Sequence, residues 1–192
     1  MGYDRGMKTL VTLAGVSIAL ALFALPAPAE VEKFMQIGEG QLQPFFRLKF
    51  APPNGWAQDA KATKEYKLPM YVPKGKTFGN ADALMYIRVS YNSDKRTLDK
   101  FIEVAHERWN AAVKDSKITK LASEKRTNGT PDFQIYHFVN PNNPQQAYEM
   151  MAYGEDVDKD GNSYFLMIAL TGAKQKALDA AEPDYRAGLR AH

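Results

Sequence analysis

The run Asp156-Val157-Asp158-Lys159-Asp160-Gly161-Asn162 places oxygen-bearing side chains at alternate positions, with glycine in the sixth. Calcium loops need this spacing, because the cation gathers about six to eight oxygens while the chain turns sharply around it. Asp156, Asp158, Asp160 and Asn162 are therefore candidate calcium ligands, and calcium is the one cofactor the sequence suggests. Position twelve, where a bidentate glutamate belongs, is Met167. The run reads more simply as a hairpin turn, since Asp160-Gly161 falls between two apolar stretches and Asp-Gly is a strong two-residue turn signal.

A second constellation is cationic. From Ala57 to Asn80 five lysines stand against Asp59 and Glu65, interleaved with Tyr66, Tyr71 and Phe78. Such a run is either a solvated loop or a contact surface for an acidic protein or a membrane headgroup. In the second case Lys67, Tyr71, Lys74, Lys76 and Phe78 are the partner-binding candidates. Gly75-Lys76-Thr77 has the tail of a phosphate loop but not its beginning, because Met70 occupies the position of the first glycine.

The remaining chemistry is sparse. His106, His137 and His192 are the only histidines, and none has a second ligand one helical turn away. Cysteine is absent, which excludes disulfides, thiolate metal sites and cysteine nucleophiles. No G-x-S-x-G elbow occurs, so no catalytic residue can be named. A hydrolase would have to assemble carboxylates or histidines in space.

These residues need elements to hold them. Phe45 to Ala51 has strand composition, and Pro52-Pro53-Asn54-Gly55 stops it before Trp56. Lys67 to Val72 reads as an edge strand because Pro69 donates no ladder hydrogen bond. In Ala83 to Tyr91, Leu84, Tyr86, Arg88 and Ser90 alternate with Met85, Ile87, Val89 and Tyr91, which predicts a strand with one drier face. A helix follows, capped by Asp94 or Thr97, with Leu98, Phe101, Ile102, Ala105, Trp109, Ala112 and Val113 at its period. Strands are then expected over 117–126, 132–139, 147–154 and 163–172, the last apolar on both faces and so central. Two short helical pieces, 173–181 and 184–191, are separated at Pro183. Short turns between the later strands predict a mostly antiparallel sheet of about six to seven strands, an α+β domain.

The chain has 192 residues, 45% hydrophobic and 24% charged, with a formal charge of +3. That is enough apolar surface for an ordered domain, and too balanced a charge for nucleic-acid binding. Arg5 and Lys8, the apolar run from Leu10 to Leu25 and Ala27-Pro28-Ala29 have the three parts of a cleavable secretory signal. The run is shorter than the roughly 20 residues that span a bilayer. The expected organisation is a signal peptide over 1–29, an aperiodic leader arm over 30–44, and one domain over 45–192, periplasmic or secreted with no transmembrane segment after processing.

Phe50-Ala51-Pro52-Pro53-Asn54-Gly55-Trp56 resembles the strand, proline, Gly-Trp opening of the PsbP-like superfamily. That superfamily includes the extrinsic P protein of photosystem II, a Ran-binding nuclear transport factor and DcrB-like periplasmic proteins. The order of three strands, a helix, four strands and a C-terminal helix is similar from about Phe45 onward. The resemblance implies an α/β/α sandwich with one long helix after the third strand, and a non-catalytic adaptor or assembly factor acting on an unidentified periplasmic or envelope protein. The alternatives are a small-ligand or calcium-binding module and a hydrolase with a spatially assembled site. Ala57 to Asn80 has no counterpart in the pattern.

Secreted material should begin at Glu30, because Ala27 and Ala29 are the small residues a signal peptidase accepts. Intact mass decides this. A membrane-extracted product that keeps residues 1–29 would refute it.

Overall fold

The computed structural model describes residues 31–38, 41–127 and 129–192, so the expected signal segment lies outside the described residues. Strands β1 (Val31–Gly38) and β2 (Gln41–Leu48) pair antiparallel as a separate hairpin, with Val31 opposite Leu48 and Phe34 opposite Phe45. Most of the expected leader arm is thus regular structure. Its strand period was diluted because the ribbon is anchored mainly at one end, where Val31, Phe46 and Leu48 meet the body of the protein.

The strands β3 (Trp56–Gln58), β4 (Met70–Pro73), β5 (Ala83–Tyr91), β6 (Lys117–Lys120), β7 (Gln134–Val139), β8 (Tyr148–Val157) and β9 (Ser163–Gly172) form one antiparallel sheet in the order β3-β4-β5-β9-β8-β7-β6. β9 is central, as its two apolar faces require. Leu166, Ile168 and Leu170 face one side, where they pack with Met85, Ile87 and Ala152 beneath Leu178, Tyr185 and Leu189 of helix α3 (Gln175–Ala191). Met167 and Ala169 face the other, with Met151 and Tyr153 beneath Ile102, Phe101 and Trp109 of helix α2 (Leu98–Ala112). Thr97 caps α2, accepting from the Lys100 N–H at 3.3 Å, and Phe101 stacks on Phe165 at 4.2 Å.

Four expectations need correction. The stretch 57–80 is not one loop: it holds the end of β3, the helix α1 (Ala60–Tyr66) and β4. β4 is not the edge strand either, since β3 pairs outside it, with Trp56 opposite Pro73. The strand expected over 117–126 ends at Lys120. Beyond it Glu124 bridges to Phe133 and turns its carboxylate to Arg186 and Arg190 at 3.0 and 2.8 Å. Finally, α3 runs unbroken through Pro183. Proline there removes one backbone donor and crowds the preceding turn, but Leu178 on one side of it and Tyr185 and Leu189 on the other are fully buried, so packing holds the helix together.

Gly154 of β8 marks how closely this interior is filled: a Cβ there would stand 2.5 Å from Cε1 of Phe133, a fully buried ring. Gly154→Ala should therefore lower stability by about 1–3 kcal/mol, the usual cost of overpacking. Denaturant unfolding measures it, and an unchanged midpoint would show that the Phe133 ring can move aside.

Candidate functional site

β4 accompanies β5 only briefly. Met70 pairs with Tyr86 and Tyr71 with Met85, and the Ile87 N–H donates to the Pro69 carbonyl at 3.1 Å. Toward its N-terminus the β4 chain then leaves the sheet, through the left-handed turn at Lys67 (φ 55°) that ends α1. α1 itself is pinned at its N-cap and at its middle. Asp59 caps it, accepting from the N–H of Ala62 at 2.9 Å and of Phe78 at 2.8 Å, bonds that hold its carboxyl below the usual range. The Thr63 hydroxyl accepts from the Met70 N–H at 3.1 Å.

Between α1, the β1–β2 hairpin and the abandoned edge of β5 lies a cleft of about 910 Å³, within the size range of ligand sites. Four cationic residues line it: Arg47 from β2, Lys64 and Lys67 from the end of α1, and Arg88 from β5. No carboxylate does. Phe34, Phe45, Phe46, Leu68, Pro69 and Met167 supply the apolar wall. The Arg47 guanidinium lies 5.1 Å over the Phe34 ring, which stacks on Phe45.

The five partner-binding candidates do not stay together. Lys67 lines this cleft. Tyr71 is buried, its hydroxyl donating to the Phe50 carbonyl at 3.4 Å, so it offers nothing to a partner. Its residue type suggested an interleaved aromatic, but its place in β4 turns it into the core. Lys74 and Lys76 are exposed; Lys76 borders a smaller cleft of about 480 Å³ with Trp56, Asp82 and Asp184. Phe78 packs on Tyr66 with ring centroids 4.9 Å apart. Sequence reasoning missed Arg47, Lys64 and Arg88 as site residues. Lys64 lay within the lysine-rich stretch, and Arg88 is the one charge in a mostly apolar strand; Arg47 carried no local signal.

The aspartate run is divided as well. Asp156 points inward, 1% exposed in its side chain, and pairs with Arg126 at 2.6 Å, so it cannot serve a calcium ion in the turn. Asp158 accepts from the Asp160 and Asn162 N–H groups, the Asn162 side chain and the Tyr164 hydroxyl, all at 2.9–3.0 Å. With those donors its pKa falls to about 2. Asp160 and Asn162 belong to the same turn, closed by the Gly161 N–H on the Asp158 carbonyl. Among the described residues no three carboxylate or imidazole groups converge as metal ligands would.

One titratable group borders the cleft from behind. The Arg88 guanidinium lies 5.9 Å over the Tyr86 ring, and the Tyr86 hydroxyl donates to Glu149 at 2.8 Å. Burial pushes the Glu149 carboxyl up to about 7, against the pull of Tyr86 and Arg88 in the other direction. The folded state thus holds this proton more tightly than the unfolded one. The resulting stability is fully present below pH 4.5, the ordinary value for the group, and is lost as pH rises through about 7. Glu149→Gln, which keeps an acceptor for Tyr86, should flatten that decline and leave the protein more stable than the parent at pH 8. The gain should be at most about 3 kcal/mol, less for the solvent Glu149 still meets. Unfolding midpoints across pH 4–8 test it, and parallel profiles for the two proteins would refute it.

No family model matches the chain and no curated protein does, so the functional reading rests on the chemistry of the cleft.

Proposed function

We propose that the chain is a periplasmic or secreted, non-catalytic adaptor or assembly factor with a PsbP-like fold, which engages an anionic partner in the cleft between the hairpin, α1 and β5. The observation that carries this reading is the lining: four cations and no carboxylate around an apolar wall. Lysine and arginine on a surface usually stand among acidic neighbours. A one-sign, partly enclosed lining instead concentrates an oppositely charged ligand and speeds its approach.

The fold assignment draws support from the element order. The first strand expected, Phe45 to Ala51, falls in the separate hairpin and β3 takes its place in the sheet; from β4 the order is as expected, two strands, the long helix α2, four strands and α3, with α2 and α3 on opposite faces of the sheet. The calcium-module alternative loses its first ligand to Arg126. Among the described residues no helix is long and apolar enough to cross a membrane.

The test is a charge reversal in the cleft. Lys64→Glu with Lys67→Glu should fold as the parent does, because exposed substitutions usually change stability by only about 0.5 kcal/mol. The immobilised parent should retain an envelope component that elutes with rising salt, and the reversed variant should not. Equal recovery by parent and variant would refute the reading.

A further inference from the structure

The cleft contains more than charge. In an antiparallel sheet a residue's N–H and C=O point to the same neighbouring strand, and successive residues alternate sides. The Asn92 N–H donates to Ser163 at the start of β9, whereas the Ile87 N–H donates toward β4. The odd-numbered residues of β5 therefore direct their peptide groups away from β9. Past Ile87 no strand of the sheet pairs with them on that side, because β4 pairs only as far as Tyr86. The peptide groups of Val89 and Tyr91 are therefore unpaired on that side: Val89, partly exposed, lines the cleft, and Tyr91, 45% exposed, lies beyond it with its ring against Phe46 of β2.

The two flanks of this open edge differ. On the face carrying Ile87 and Val89, the hairpin brings up Phe45, Phe46 and Arg47. On the face carrying Arg88 and Ser90, α1 brings up Lys64 and Lys67, since Ala62 of α1 packs with Leu84 on that same face. A strand laid on the edge would send alternate side chains to these two flanks. One set would meet aromatic rings, the other lysine and arginine.

We propose that the edge of β5 from Val89 to Tyr91 takes up an extended acidic segment of a partner polypeptide as an added strand, with its acidic side chains alternating with apolar ones. This deepens the functional reading above and rests on it. A free anion or a lipid headgroup would satisfy the cations but leave the Val89 peptide group unmatched. Only another backbone offers a donor and an acceptor at ladder spacing, as in peptide recognition by strand addition. Exposed edges are ordinarily blunted by lysine or proline on the strand itself. Here Val89, Ser90 and Tyr91 carry no charge; Arg88 just before them is the one cation on the strand, and Arg47, Lys64 and Lys67 stand around the edge.

The test uses the whole mature chain and a fluorescein-labelled short peptide that alternates glutamate and valine. Two further peptides carry backbone N-methyl groups, one on every valine and the other on every glutamate. Because the two sets of N–H groups face opposite edges of a strand, one methylated peptide should lose affinity by about tenfold or more, a free-energy change of about 1.4 kcal/mol, while the other binds like the parent peptide. Amide exchange of Val89 should slow in the complex. If both methylated peptides bind as the parent does and Val89 exchange is unchanged, strand addition is refuted while the anionic reading stands. The same holds if poly-glutamate binds and the alternating peptide does not. If neither poly-glutamate nor the peptide binds at low salt, the anionic reading itself fails.

Discussion

A strand that is apolar on both faces cannot be left at an edge or open to water, and β9 imposes that constraint on everything around it. Leu166, Ile168 and Leu170 are fully buried, and so is Ala169 between them on the opposite face. Two faces therefore need cover, which α3 and α2 supply. Neither helix is long enough to roof a seven-stranded sheet alone. The remaining area is closed on one face by the β1–β2 hairpin through Val31 and Leu48, and on the other by α1 through Ala62. The cleft lies where these two secondary covers meet the sheet without β4 between them. It is a consequence of the layering, not a separate device.

The C-terminal end of α3 depends on a costlier interaction. Arg126 and Asp156 form a pair with side chains 0% and 1% exposed, with the guanidinium 4.7 Å over the Phe133 ring and Asp156 also 3.3 Å from the His192 imidazole. Desolvating two charges is expensive, and their attraction offsets it only when further hydrogen bonds satisfy the groups. Arg126 also reaches the Glu155 carbonyl at 3.3 Å. Removing one member would strand the other charge in the core, a loss of about 3–5 kcal/mol. The pair joins the segment after β6 to β8, and Glu124 ties the same segment to α3 through Arg186 and Arg190. The chain between β6 and β7 is thereby held by charge where it forms no extended ladder.

Strong periodicity was legible and weak periodicity was not. Ala83–Tyr91 and Ser163–Gly172 could be bounded to the residue because apolar alternation and flanking turns agree there, and Thr97 was one of two caps the α2 pattern allowed. The hairpin escaped because Val31, Phe46 and Leu48 share one of its faces and Phe34 and Phe45 the other, so no single apolar face shows as an alternation. α1 escaped because its seven residues, Ala-Lys-Ala-Thr-Lys-Glu-Tyr, show no stripe; its place depends on Asp59 and Thr63 reaching across to Phe78 and Met70. The cleft was half legible. The lysine-rich stretch pointed to the neighbourhood, but Arg47 and Arg88 come from strands far apart in sequence, and nothing local marks them as neighbours.

The arginines make the case for the cleft from a different direction. Among the described residues Arg96, Arg126, Arg186 and Arg190 all sit in ion pairs. Arg47, Arg88 and Arg108 do not, and two of these three line the cleft. Both rest on aromatic rings, which keep a guanidinium in place without an ion pair, although Arg88 also acts on the buried Glu149 behind it. Lys64 and Lys67 are likewise outside every ion pair formed by described residues. Gathering unneutralised cations disfavours the compact state slightly through repulsion. It does so at the one stretch where β5 has lost its neighbour, so the charge and the open backbone would be compensated together by a single acidic strand.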